Sequence, residues 1–380
     1  MIRLTIPSIE EDDLQAVHDV LVSGFLVQGK RVAEFENTVA DYVGTKYAVT
    51  VSNCTAALHI ALLALDVRPG DLVVVTSYSW LSTANVIELC GAQPVFVDIC
   101  PDTFNISPDR LEETLKRLMS VPDTARRVKA ILPVHTFGQM ADMPGIMEIA
   151  AQYDLPVIED AACALGASIQ GRQAGMWGVM GCFSFHPRKA VTTGEGGIIT
   201  TDDAGLARRL RALRNHGLDP DAPVADFVMP GFNYRMTEFQ AALGAAQMGK
   251  LDRILACRRQ RSDIYNHLLK DSSLQLPRVS DIACHVYQSY VVLLPEHLAD
   301  RREMFIEHLR EQGIETTIGT WNMPMTTYFR TRYGYQTGDF PIADDVFLRS
   351  LTLPLFEFMT EEQIQSVCQV LLAICERLTD

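Results

Sequence analysis

One stretch of this chain carries chemistry in its spacing: Cys182-Phe183-Ser184-Phe185-His186-Pro187-Arg188-Lys189-Ala190-Val191-Thr192-Thr193-Gly194-Glu195-Gly196-Gly197. It sets one lysine between a short apolar strand and a glycine-rich turn, and a second strand, Ile198-Ile199-Thr200-Thr201, follows. Burying an ammonium is costly, so a lysine held this way tends to lose its proton or form a covalent bond. A neutral amine is what a Schiff base with a carbonyl cofactor requires. Pyridoxal phosphate is therefore the cofactor to test against the rest of the chain, with Lys189 as its anchor. The other six lysines, Lys30, Lys46, Lys116, Lys129, Lys250 and Lys270, fall in polar helices, in a loop or just before strands.

That cofactor has further needs. Its phosphate wants backbone amides at a helix N-terminus together with hydroxyls. Ser52-Asn53-Cys54-Thr55 ends a strand and opens a helix, so it suits a phosphate cup; helix capping is the plainer use of the same residues. The pyridine nitrogen must stay protonated for the ring to act as an electron sink, which calls for a carboxylate. Asp160 ends the strand Val157-Ile158-Glu159-Asp160, and strand alternation turns Glu159 to the opposite face. Trp80, just after an apolar strand, suits stacking on the ring, with a core tryptophan as the alternative. Ser184 can add a hydroxyl to the phosphate. His186 is a candidate substrate contact or a satisfied strand histidine. Lys30, in the loop Gln28-Gly29-Lys30-Arg31, can meet an anionic substrate.

The elements that must position these residues alternate along the chain. Helices are expected over residues 9–23, 31–43, 55–65, 81–90, 108–119, 142–152 and 203–216. Strands are expected over 47–51, 72–76, 94–98, 130–134 and 156–160. This pattern implies an α/β fold with a mostly parallel sheet covered on both faces. In such sheets ligands sit beyond the carboxyl ends of the strands. Ser52–Thr55, Ser77–Trp80, His135 and Asp160 are expected at that edge. A helical stretch over 236–270, broken near Gly249, leads to a different texture: a strand over 285–294 and helices over 301–312 and 361–378. A large domain is expected over residues 1–250 and a smaller one over 251–380.

Bulk properties narrow the function classes. The 380 residues suit a large domain plus a smaller one. A formal net charge of −14 argues against nucleic-acid binding. No apolar run approaches the ~20 residues of a membrane span, and Met1–Pro7 lacks a signal-peptide core, so a cytoplasmic protein is expected. The nine cysteines form no CxxC pair, which reads as reduced, mostly buried thiols with no metal site.

Taken together, these residues resemble the DegT/DnrJ/EryC1/StrS family of sugar aminotransferases over nearly the whole chain. The landmarks are Phe35-Glu36, Ser52 to His59, Pro94 to Asp98, Pro133-Val134-His135, Gly138 to Met143, Glu159 to Ala162, the Lys189 segment, Gly231 to Met236 and Leu353-Pro354-Leu355. The resemblance implies a fold type I pyridoxal-phosphate enzyme, with a seven-stranded sheet in its large domain, acting as a homodimer with shared active sites. It makes Lys189 the Schiff-base lysine and Asp160 the pyridinium partner. It gives Trp80 to the ring, Cys54, Thr55 and Ser184 to the phosphate, and Asn233 to the phosphate of the partner subunit. Three positions depart from the family pattern. Cys54 stands where glycine, serine or alanine is usual. Cys163 stands near the phenolic oxygen, where glutamine or histidine is frequent. Met325 lies near a position where many members carry histidine, in the segment Gly319 to Met325 that closes over the sugar and includes Trp321.

The implied reaction is a ping-pong transamination from L-glutamate to a nucleoside-diphosphate-linked keto sugar, with Lys189 moving the proton. Lys30, Arg31 or Arg235 would meet the diphosphate. The Lys189 run with Asn233-Tyr234-Arg235 resembles members acting at C4 of 4-keto-6-deoxy sugars. The rivals are amination at C3, a 3-dehydratase, whose lysine would be replaced by histidine, and a non-catalytic regulatory relative.

Overall fold

The computed structural model describes residues 1–379. Its centre is a sheet made from two parts. One part orders the strands Tyr47–Val51, Gly197–Thr201, Met180–Ser184 and Ile158–Asp160; the other orders Val128–Leu132, Leu72–Thr76 and Gln93–Val97. Parallel bridges from Ile131 to Val157 and from Val134 to Asp160 join them into seven strands. Only Gly197–Thr201 runs against the others, paired antiparallel on both sides. The expected mostly parallel α/β sheet is therefore present.

The strands read as apolar runs because both faces are covered. Val74, Ile131, Phe183 and Ile198 face one hydrophobic cluster, while Val73, Val75, Leu132, Cys182 and Ile199 face another. Period-two alternation divides consecutive residues between the two cores. Several family landmarks are structural. Phe35 packs on Phe185, with ring centres 5.0 Å apart. Glu36 is buried and accepts from Thr50 N at 2.9 Å and from Arg214 Nη1. Asp98 accepts from the amides of Ile342 and Ala343 at 3.0 and 2.9 Å, and so caps the helix Pro341–Arg349.

A third cluster draws on residues from Tyr265 to Cys375 and packs the helices Leu251–Leu269, Arg302–Glu311 and Glu361–Thr379. These cover an antiparallel sheet of Tyr290–Leu293, Ser350–Leu353 and Thr317–Ile318. The first residues join it: Ile2 N donates to Gly313 O at 2.7 Å, Glu315 N to Ile2 O at 2.9 Å, and Leu355 N to Leu4 O at 3.0 Å. The helical stretch over 236–270 divides as expected, into Glu238–Met248 and Leu251–Leu269.

The strand expected over 285–294 is shorter. It occupies Tyr290–Leu293, because Tyr287 has φ 47°, which an extended strand cannot accommodate. The helices Thr327–Tyr333 and Pro341–Arg349 were not anticipated. All nine cysteines are free thiols. Among the described residues, no helix is long and apolar enough to cross a membrane.

Candidate active site

At one edge of the large sheet the strands end in a cluster of reactive groups. Lys189 is half-buried, and its Nζ donates to Cys163 Sγ at 2.9 Å. Cys54, Cys163 and Asp160 all lie close enough to act on its charge. Burial pushes Lys189 down, but Cys163, Cys54 and Asp160 outweigh it, so the ammonium is favoured beyond the usual lysine range. Burial alone was expected to favour the neutral amine; the groups around Nζ reverse that direction.

Asp160 is only 3% exposed. Its Oδ2 accepts from Thr83 Oγ1 at 2.7 Å, and its Oδ1 from Ala162 N at 3.2 Å. Burial raises its carboxyl above the usual range, only partly offset by the Thr83 hydroxyl, the Ala162 amide, Lys189 and His135. Glu159 faces the other way and is fully buried. It accepts from Gly175, Trp177 and Gly178 amides at 2.9, 2.7 and 2.8 Å, and contacts His135 Nε2 at 2.9 Å. His135 Nδ1 accepts from Ala141 N, so the ring proton sits on Nε2 and is donated to Glu159. His135, expected at the ligand edge, lies beside Asp160, its N donating to Asp160 O at 3.0 Å, and its wholly buried ring supports Glu159.

The helix Cys54–Ala64 starts beside this cluster. Asn53 caps it, its Oδ1 accepting from Ala56 N at 2.8 Å. The capping reading thus holds for Asn53, and it leaves the first amides open. Among the described residues, neither Cys54 N nor Thr55 N has an acceptor. Strand residue Gly197 lies directly beneath: a Cβ there would stand 2.5 Å from Asn53 C and 2.7 Å from Cys54 N. Burial drives the Cys54 thiol well above its ordinary range. Ser184 Oγ accepts from His186 N at 3.4 Å, and burial lowers the His186 imidazole.

Trp80 is 65% exposed and follows the two-residue strand Tyr78–Ser79. That strand pairs with Trp321–Asn322, setting Trp321 against Ser79. Trp321 also stacks on Phe347, with ring centres 5.7 Å apart. Asn233 is exposed, and among the described residues its side chain has no hydrogen-bond partner. Ser52 N donates to Tyr234 O at 2.8 Å, which ties the Asn233 segment to the end of the first strand. Arg235 Nη1 donates to Asn215 Oδ1. Lys30 is 87% exposed beside Glu34, 3.7 Å away, and no polar contact joins it to the Lys189 cluster among the described residues. The amides of Gly29, Arg31 and Val32 are taken by the buried carboxylate of Glu238 at 2.7, 2.9 and 3.0 Å.

The groups present fit pyridoxal phosphate. Among the described residues two helix amides lack acceptors, a lysine amine lies near a buried carboxylate, and an exposed indole stands three residues before Thr83, which donates to that carboxylate. Sequence reasoning missed Thr83 and Glu238. Thr83 stands three residues after Trp80 on the first turn of its helix, a spacing that would have pointed to the same edge.

The sequence pattern of the DegT/DnrJ/EryC1/StrS aminotransferase family matches residues 7–372. The chain is 40% identical over 346 residues to a GDP-perosamine synthase of Caulobacter vibrioides, covering 90% of each. Spr1654 of Streptococcus pneumoniae, solved in a PMP form, superposes with a TM-score of 0.92 at 26% identity, covering 99% of this chain and 100% of its own. DesV of S. venezuelae, solved in complex with a ketimine intermediate, gives 0.87 at 30% identity, covering 96% and 94%. The chain belongs to the DegT/DnrJ/EryC1/StrS aminotransferase family, with fold type I and pyridoxal phosphate as its cofactor.

Proposed function

We propose that this protein moves an amino group from L-glutamate to a nucleoside-diphosphate-linked keto sugar, at C4 of a 4-keto-6-deoxy sugar. One observation carries the reading: the Lys189, Cys163 and Asp160 cluster beside open helix amides occurs in a chain 40% identical to a GDP-perosamine synthase. The reaction is a cytoplasmic one on soluble nucleotide sugars.

When bound, pyridoxal phosphate supplies an aldehyde that captures amines and a ring that accepts the electron pair left by a departing proton. Lys189 anchors it through Nζ. The Nζ amine of Lys189 would also be the group placed to take up and return the proton of the donor α-carbon. Asp160 would hold the proton of the pyridine nitrogen through its buried carboxylate. Thr83 and Ala162 fix the plane of that carboxylate. The amides of Cys54 and Thr55, with the hydroxyls of Thr55 and Ser184, would hold the phosphate. Asn53 keeps the helix start in position, Trp80 would cover a face of the ring, and Cys163 would border the phenolic oxygen.

Two copies of the chain complete the site, Asn233 of each reaching the phosphate in the other; its exposed, unpartnered side chain supports this. Lys30, His186, Arg235 and Trp321 face the nucleotide sugar.

The test is an absorption spectrum of the purified protein with L-glutamate, followed by a nucleoside-diphosphate 4-keto-6-deoxy sugar, with Lys189→Ala as control. The expected result is a cofactor band that glutamate converts and the keto sugar restores, and that Lys189→Ala cannot convert. Product analysis then reads which carbon carries nitrogen. A band indifferent to glutamate overturns the donor, and nitrogen at C3 overturns the regiochemistry.

A further inference from the structure

The segment that carries Lys189 is weakly held by its own neighbourhood. Lys189 N donates to His186 O at 2.8 Å, and Arg188 N to His186 Nδ1 at 3.2 Å, both within the same loop. The next anchors come later, where Thr192 Oγ1 and Thr193 N both donate to Phe185 O at 3.0 Å. Between these points, and among the described residues, only two side chains from elsewhere hydrogen-bond residues 188–191. One is Cys163, on the Lys189 amine. The other is Gln288, about a hundred residues further along the chain.

Gln288 grips both sides of the lysine. Its Oε1 accepts from Ala190 N at 3.2 Å, and its Nε2 donates to Arg188 O. A carboxamide is the group that can do both at once, having an acceptor and a donor on one carbon. The peptide planes before and after Lys189 are thereby tied to one rigid fork.

The fork is itself held firmly. Arg258, 2% exposed, donates from Nη1 to the carbonyls of Tyr287 and Gln288 at 3.2 and 3.3 Å. His285 and Tyr287 stack with ring centres 4.0 Å apart, and Tyr287 N donates to His285 Nδ1 at 2.8 Å. Val286 N and Ser289 N donate to Gly138 O and Phe137 O at 3.0 and 3.3 Å. Gly138, at φ 96°, leaves no room for more: a Cβ there would lie 2.8 Å from Gln288 N and 3.1 Å from Cys163 O. Gly138 thus sets the spacing between the two outside groups that touch the lysine segment.

We infer that Gln288 is a positioning residue for the transamination, holding the backbone around Lys189 so that Nζ keeps its aim through both half-reactions. This rests on the reading of Lys189 as the anchoring lysine. A misplacement of about 1 Å in a reacting group can cost on the order of a hundredfold in rate.

The experiment compares wild type with Gln288→Leu and Gln288→Glu. For Gln288→Leu, kcat falls roughly ten- to a hundredfold, with KM for glutamate within about twofold. The melting temperature stays close to wild type. In the protein stripped of cofactor, amide exchange of the peptide 186–194 quickens about tenfold, while the rest of the chain exchanges as before. Gln288→Glu keeps the acceptor for Ala190 N and loses the donor for Arg188 O. Its kcat deficit relative to wild type therefore shrinks as pH falls and the new carboxyl gains a proton.

Wild-type kcat and exchange in Gln288→Leu would overturn the proposal. So would a rate loss matched by faster exchange throughout residues 251–379, which marks a merely structural role. If Gln288→Leu fails to fold, the pH dependence of Gln288→Glu decides alone, and a deficit independent of pH overturns it. The exchange result does not depend on which lysine holds the cofactor. Cofactor still covalently attached after borohydride reduction of Lys189→Ala would fault the anchoring assignment and leave the exchange result standing.

Discussion

Thr83 donates its hydroxyl proton to Oδ2 of Asp160 across 2.7 Å, and Ser79 Oγ lies 3.1 Å from the same Thr83 oxygen. This pair joins the helix after Trp80 to the strand end that bears the carboxylate. The hydroxyl lowers the Asp160 pKa against the rise caused by burial. Thr83→Val removes that help, so the carboxyl rises further and is protonated at higher pH. The acid limb of the kcat/KM profile is expected to move to higher pH, with about a tenfold loss at neutral pH. A pH–rate profile checks it.

Asp160 also has a stability cost. Its folded pKa is above its unfolded value, so the folded chain binds the proton more tightly. Stability is therefore lost as pH rises from the unfolded pKa through the folded one, and the penalty persists above both. Asp160→Asn is expected to abolish transamination yet raise the melting temperature of the cofactor-stripped protein by about 2–4 °C near neutral pH. The gain should vanish below about pH 3, under the unfolded value of about 3.9, where Asp160 is protonated in both states. Thermal unfolding across pH measures it.

Much of this arrangement was legible in the sequence. Alternation along Ile158-Glu159-Asp160 separates the two carboxylates onto opposite faces, and apolar runs such as Leu72–Thr76 announce buried parallel strands. What could not be read depends on chain separation. Gln288 and Lys189 meet across about a hundred residues, and no local pattern encodes that. The turn at Tyr287 hid within an alternating run, because a positive φ in tyrosine leaves no compositional mark. The Glu238 carboxylate under the Gly29–Val32 amides was equally silent, being supplied by a helix some two hundred residues away.

Cys163 bears on how the cofactor is captured. It is foremost among the groups that raise the Lys189 pKa, and capture of an aldehyde needs the neutral amine. Cys163→Ala lowers that pKa and enlarges the neutral fraction. Reconstitution of stripped protein with pyridoxal phosphate should quicken near neutral pH, and its pH–rate curve should shift to lower pH. Stopped-flow absorbance follows the rate, and an unshifted curve would remove Cys163 from this role.

Glu159 belongs to stability instead. Its two oxygens face four donors, and His135 cannot turn acceptor toward it without losing Ala141 N. Glu159→Gln sets an amide against donors and should cost about 3 kcal/mol. Denaturant titration reads the loss, while kcat per folded molecule stays near wild type.

Gly197 tests the helix start. In Gly197→Ala the new methyl meets the Asn53 and Cys54 backbone, so strand and helix must part. Affinity for pyridoxal phosphate is expected to fall by at least about tenfold, as displaced amides lose the phosphate. Equilibrium dialysis of the stripped protein measures it, and wild-type affinity would detach this helix from the cofactor.

The pairing of Ile2 with Gly313 and Glu315 bears on how the protein is made. On a ribosome the strands of the large sheet can assemble once Thr201 has emerged, yet Ile2 and Leu4 must wait for residues three hundred positions later. At roughly 5–20 residues per second, that wait lasts on the order of tens of seconds. From the emergence of Thr201 on, the apolar residues Ile2 and Leu4 hang unpaired from a largely folded body. Nascent chains stalled before residue 313 should therefore be the species that chaperones hold and that aggregates collect.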